Sequence, residues 1–143
     1  MSNKKIYFSC SVRGGREYLP YYEDIVLTLK TSHDVLTEHL IIKDIVAAER
    51  HQSDEEIYLQ DIAFMDQADV LIAEVSVPSL GVGYELAYFE KLNRPMYLLY
   101  NSSSNHKLSA MLSGNSNFVI YTYESHEELD EILDEIMSEL EER

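Results

Sequence analysis

Two acidic side chains stand where a charge is costly. Glu85 lies in "PSLGVGYELAYFE", and on a helix its neighbours three and four positions away are Gly81, Val82, Tyr88 and Phe89. Asp61 lies in "IYLQDIAFM", with Ile57, Tyr58, Phe64 and Met65 at the same offsets. A carboxylate among apolar side chains must be paired, protonated or put to use. For Glu85 the spacing allows a partly desolvated nucleophile or base, or a first-turn glutamate that only stabilises the start of a helix. Asp61 is open to an acid–base role or to a bond with a nearby loop backbone. Taken together, two such acids are the equipment for cleaving a glycosidic bond through an oxocarbenium-like transition state.

The polar groups around them suit an anion. "SVRGGRE" (11–17) combines a serine, two glycines and two arginines, but lacks the GK[ST] ending of a Walker motif. It reads as a phosphate cradle or as a tight turn with two surface arginines. Ser79, after Pro78, is suited to cap a helix or to donate to a phosphate. His39 closes a short apolar run and is open to structural and catalytic readings alike. The five histidines and the lone Cys10 show no metal-ligand spacing, so neither a metal nor a cofactor is expected.

These residues need a frame that gathers them. Five apolar runs bounded by turn residues predict strands at 5–11, 33–38, 68–75, 95–100 and 117–123. Helical patterns fall between them at 17–31, 53–67, 83–93 and near 107–113. Ser53 with Glu56 and Ser125 with Glu128 predict capping boxes. The polar stretch 43–56 reads as a surface excursion. Strand–helix alternation with nearly continuous apolar strands predicts an α/β fold. It is a five-stranded parallel sheet, doubly wound, flavodoxin-like or Rossmann-like, in a single domain over 1–143. Ligands in such sheets sit beyond the carboxyl ends of the strands, where "SVRGGRE", "TEH", "SVPSLGVGYE" and "NSSSNHKLSAM" fall.

Composition narrows the partners. The 143 residues carry a net charge of −15, which argues against nucleic-acid polymers and anionic membranes. From Glu124 to Arg143 ten acids face one base, while Leu129, Ile132, Leu133, Ile136, Met137 and Leu140 recur at helical spacing. That pattern predicts a helix docked by one stripe with its acidic face in solvent. No apolar stretch approaches the roughly 20 residues of a membrane span. A single cysteine agrees with a reducing cytoplasm.

In this order and spacing, "YFSCSVRGGRE", "VLTEH", "QDIAFMDQADVLIAEV", "PSLGVGYELA" and "LSAML" resemble the 2'-deoxynucleoside 5'-phosphate N-hydrolases, relatives of the nucleoside 2-deoxyribosyltransferases. The resemblance runs from about residue 5 to 123 and implies roles where the motifs match. Glu85 is then the nucleophile that attacks the anomeric carbon of deoxyribose, and water hydrolyses the resulting glycosyl-enzyme. Asp61 positions the sugar or protonates the leaving base. Tyr7 lines the sugar pocket and disfavours a 2'-hydroxyl. Ser11, Ser79 and Gly81 hold the 5'-phosphate, with Arg13, Gly14, Gly15 and Arg16 in the loop around it. Val12 and His39 lie beside the base. Ser109 serves the phosphate of a second copy across a homodimer interface.

One position departs from the family. Cys10 stands where a glycine usually precedes the phosphate serine, so its thiol is expected to add volume beside the sugar. Other readings share parts of this chemistry. A nucleoside 2-deoxyribosyltransferase would use the same Glu85 intermediate on unphosphorylated nucleosides, for which the serines and arginines of 11–16 and Ser79 have no purpose. A CMP-type ribonucleotide N-glycosidase is a nearer variant. A non-catalytic nucleotide-binding module would not need both carboxylates.

Overall fold

The computed structural model describes residues 3–143. In chain order it contains β1 (Lys5–Ser9), α1 (Leu19–Leu29), β2 (Asp34–Val35), a 3-10 turn (Glu38–Ile41), α2 (Ile45–Ala48) and a second 3-10 turn (Glu49–His51). Then follow α3 (Asp54–Gln67), β3 (Val70–Glu74), α4 (Leu80–Glu90), β4 (Met96–Asn101), α5 (Ala110–Ser113), β5 (Val119–Tyr123) and α6 (His126–Glu141). All five strands are parallel, in the order β2-β1-β3-β4-β5. The expected doubly wound parallel sheet is therefore present. Its strand order reverses between β1 and β3, which opens the ligand crevice at their carboxyl ends.

Period-two alternation sorts the strands between two cores. Ile6, Phe8 and Cys10 of the first strand segment, with Val70 and Ile72 of β3, pack against α1 and α6. Tyr7, with Leu71, Ala73 and Val75, belongs to the opposite core against α3 and α4. The expected stripe on α6 is real: Leu129, Leu133, Ile136 and Leu140 are at most 1% exposed. Burying each contributes about 1.5–3 kcal/mol relative to leaving it in water.

Several boundaries differ from expectation, for local reasons. The strand expected over 33–38 pairs with β1 only at Asp34 and Val35. At Thr37 the side chain replaces the ladder, since its hydroxyl accepts from Phe8 N–H at 2.9 Å and donates to Phe8 C=O at 2.7 Å. The stretch expected as a polar excursion over 43–56 coils into α2 and the second 3-10 turn, runs into the start of α3, and buries Ile45. At α3 the capping box is complete in both directions, between Ser53 and Glu56. At α6 only half of it forms: Ser125 accepts from Glu128 N–H, but the Glu128 carboxylate takes the N–H of Glu124 instead.

The start of α4 matters most. Expected at 83, it begins at Leu80, because the Ser79 hydroxyl accepts from Val82 N–H at 3.2 Å and caps it there. Gly81 and Gly83 are thus helical. Glu85 sits in the second turn, not the first, so the helix dipole does little for its charge.

Candidate active site

Glu85 is held from the sheet. Tyr7 and Ser9 point to the same face of β1, and both reach its carboxylate. The Tyr7 hydroxyl donates to Oε2 at 2.9 Å and the Ser9 hydroxyl to Oε1 at 2.7 Å. Burial pushes the Glu85 carboxyl above its ordinary range, and these two donors pull it back. Tyr7 is itself pushed well above the usual phenol range, first by burial and then by the Glu85 charge, so it remains a neutral donor. Gripped at both oxygens, the carboxylate has its orientation set, and the two hydroxyl donors oppose part of the upward push of burial.

Asp61 shares a pocket of about 380 Å³ with Glu85, walled by Tyr58, Ile62, Met65, Leu80 and Tyr84. Burial, then the Glu85 charge, then Glu49, raise its carboxyl from 3.8 to about 7. Among the described residues it accepts no hydrogen bond that would oppose the shift. The two acids differ in their surroundings: hydroxyl donors oppose the effect of burial at Glu85, and none does so at Asp61 among the described residues.

The sign of the Asp61 shift gives a test. A raised folded-state value means that ionising Asp61 costs stability, beginning above its unfolded value near 3.8 and reaching the full cost above about 7. Asp61→Asn should therefore raise Tm more at about pH 8 than at about pH 5, while slowing turnover. Thermal unfolding at the two pH values checks this. An equal gain at both would mean that Asp61 is not held protonated.

The loops after β1 and β3 meet beside this pocket. A Cβ on Gly14 would lie 2.7 Å from the Pro78 carbonyl oxygen and 3.0 Å from Ser11 Oγ, so only glycine permits the approach. Gly15 has φ +138°, a conformation that side chains rarely adopt. Ser11 is fully buried and its hydroxyl has no hydrogen-bond partner among the described residues. An orphaned buried donor beside the start of α4 suits an anion's oxygen.

The other expected site residues are placed less uniformly. Arg13 is exposed and paired with Asp54 at 3.3 Å. Arg16 is committed to the protein: its guanidinium donates to the carbonyls of Ser11 (3.2 Å) and Ile42 (3.1 Å) and to that of Leu40, and lies over the Tyr22 ring at 5.7 Å. It straps the first loop to the segment after β2. That segment carries His39, half-buried 6.4 Å from the Phe64 ring, its imidazole held toward the neutral form by burial. Val12 is half-buried in the first loop.

Ser109 caps α5 of its own chain, accepting from Met111 N–H at 3.2 Å. It also borders a groove of about 790 Å³ between α4 and α5 that reaches Ser79. Cys10 faces the α1–α6 core rather than the Glu85 side, so its volume does not enter the sugar side of the crevice. Burial pushes its thiol up to about 12, which keeps it neutral.

Ser9 escaped the sequence reading, although a serine two residues from Tyr7 in a buried strand shares its face and was a usable signal. Glu74 escaped too: a single acid in the apolar run "VLIAEV" turns out fully buried. Among the described residues, no group of three or more His, Cys, Asp and Glu side chains is arranged to hold a metal ion, and no helix is long and apolar enough to cross a membrane.

The fold is a doubly wound parallel sheet with Glu85, held by two hydroxyls, and Asp61 in one pocket near its switch point. Residues 6–137 match the family model described as nucleoside 2-deoxyribosyltransferase, and the chain belongs to that family. It is 42% identical over 127 residues to the human 5-hydroxymethyl-dUMP N-hydrolase, covering 85% of this chain and 73% of that one. To the protein of the same name from Tetraodon nigroviridis it is 37% identical over 139 residues, covering 94% and 97%. The expected family and the N-glycosyl hydrolase class are met by these matches. Among solved structures, a CMP N-glycosidase of Clostridium botulinum shares the fold, with a TM-score of 0.62 and 18% identity over 92% of this chain and 99% of that one.

Proposed function

We propose that the chain hydrolyses the N-glycosidic bond of 2'-deoxynucleoside 5'-monophosphates, releasing free base and 2-deoxyribose 5-phosphate. The observation that carries this reading is the Glu85 carboxylate held at both oxygens by Tyr7 and Ser9, with Asp61 in the same pocket. Glu85 attacks the anomeric carbon as the bond to the base nitrogen breaks, and Asp61 gives its proton to the departing base. Water then adds to the same carbon, returns a proton to Asp61 and frees Glu85. Ribose would bring a 2'-hydroxyl against the Tyr7–Glu85 bond, so deoxyribose is preferred. The orphaned Ser11 hydroxyl, Ser79, Gly14, Gly15 and the start of α4 with Gly81 receive the 5'-phosphate, and Arg13 and Arg16 form the wall behind them. Val12 and His39 border the base.

The test is a panel of deoxynucleoside and ribonucleoside monophosphates, and their nucleosides, assayed for free base and sugar phosphate. Release from deoxynucleoside monophosphates is expected. Transfer of deoxyribose from nucleosides to an added base, without hydrolysis of monophosphates, would overturn the reading.

The active species in this reading is a homodimer, with the partner subunit's Ser109 completing the phosphate site. Leu80 is 97% and Met111 81% exposed, and Leu80 borders both the groove and the pocket where Tyr58 and Tyr84 are also exposed. An apolar surface of this kind on a small domain suits burial against a second copy. Mixing Glu85→Gln with Ser109→Ala chains should restore activity, because each heterodimer holds one site with both groups intact. No gain despite demonstrated subunit exchange, or a fully active monomer, would sink the shared site. The neutral buried Cys10 thiol suits a reducing cytoplasm.

A further inference from the structure

A third acid lies on the far face of the sheet, and the reaction above does not use it. Glu74 ends β3 and is fully buried, on the side where Val70 and Ile72 meet α1 and α6. Its Oε1 accepts from Ser76 N–H at 2.9 Å. Its Oε2 accepts from the Ser76 hydroxyl at 2.7 Å and the Tyr123 hydroxyl at 2.5 Å. Among the described residues, three donors and no cation satisfy the carboxylate. An apolar residue would continue the run "VLIA" without the cost of burying a charge, so packing does not account for this acid.

What Glu74 holds is a junction of loops. While donating to Glu74, the Ser76 hydroxyl accepts from Asn101 N–H at 2.7 Å, at the end of β4. The Ser76 carbonyl accepts from the Ser104 hydroxyl at 2.9 Å, and Asn101 Oδ1 takes the N–H of Ser103 at 2.9 Å. The loops after β3 and β4 therefore hang from one carboxylate. The first continues to Pro78, whose carbonyl limits Gly14, and to Ser79. The second continues to His106, Lys107 and Ser109, across the groove from Ser79.

We propose that Glu74 is a positioning residue for the 5'-phosphate, acting through Ser76 to hold the loops after β3 and β4 in register on the phosphate side of the crevice. This rests on the phosphate-binding reading given above. Its effect should fall on the phosphate rather than on the sugar and base, because Glu85 and Asp61 stand on helices of the opposite face.

Glu74→Gln keeps the volume, but one arm becomes an amide donor that faces two hydroxyls. Ser76→Ala removes the bridge to Asn101 and leaves the acid in place. For both variants and the wild type, kcat and KM are measured on a deoxynucleoside monophosphate, and Kd for that nucleotide and for its nucleoside by calorimetry. The expected result is a rise of about tenfold in KM and Kd for the monophosphate, a change in kcat under about threefold, and an unchanged nucleoside Kd. A merely structural role would weaken nucleotide and nucleoside together; that result, or a native KM in both variants, overturns the proposal. If Glu74→Gln does not fold, Ser76→Ala decides. A wild type that binds nucleotide without hydrolysing it would remove the proposed reaction, while the pair of Kd values would still judge Glu74.

Discussion

Glu85→Gln should fold and bind a deoxynucleoside monophosphate within about tenfold of the wild type, ~1.4 kcal/mol, and yet turn over at least about a thousandfold more slowly. The amide is isosteric. It can still accept from one of the two hydroxyls that grip the carboxylate, Tyr7 or Ser9, and the other hydroxyl can turn to accept from the amide. In the proposed mechanism, what is lost is the oxygen that forms the covalent bond, worth ~4 kcal/mol of transition-state stabilisation at that rate loss. Removing a carboxylate that burial has pushed toward protonation should also leave Tm unchanged or higher. Single-turnover kinetics beside a binding titration separates the effects. Turnover close to the wild type would remove Glu85 from the nucleophile's role, and a collapse of binding would make it a binding group.

Removing the 5'-phosphate from the substrate should cost about a hundredfold or more in kcat/KM, with part of the loss in kcat. In the proposed reading the phosphate is received by the turns at Ser11–Gly15 and Pro78–Ser79, and the second of these turns leads directly into the helix that carries Glu85. Anchoring the substrate there fixes the distance from the anomeric carbon to the carboxylate, so a nucleoside lacks affinity and alignment at once. Steady-state kinetics on a monophosphate and its nucleoside would show this. Equal kcat/KM for the two would favour a deoxyribosyltransferase acting on nucleosides.

Both effects depend on groups that differ in how far the sequence revealed them. The five strands were legible because alternation with helices and near-continuous apolar runs admit few arrangements other than a covered parallel sheet. Glu85 and Asp61 were legible because a helix places neighbours at fixed offsets, so an acid among apolar side chains is visible without coordinates. The Ser53–Glu56 cap and the α6 stripe are local in the same sense.

Other features depend on contacts between residues distant in the chain. The start of α4 at 80 is the local exception, set by Ser79 three residues before Val82, and it moves Glu85 out of reach of the helix dipole. The groups that hold its carboxylate are Tyr7 and Ser9, more than seventy positions earlier in the chain. Arg16 reads as part of a phosphate loop or as a surface arginine in "SVRGGRE", but the carbonyls of Leu40 and Ile42 come within its reach only when the segment after β2 folds over it. Composition gives Glu74 no role, because the Ser76, Asn101 and Tyr123 groups that share its network converge only when β3, β4 and β5 lie side by side. Periodicity and local caps are properties of neighbouring residues and survive in a string of letters. Partners for buried charges are chosen by strand order and loop path, so they exist only once the sheet has closed.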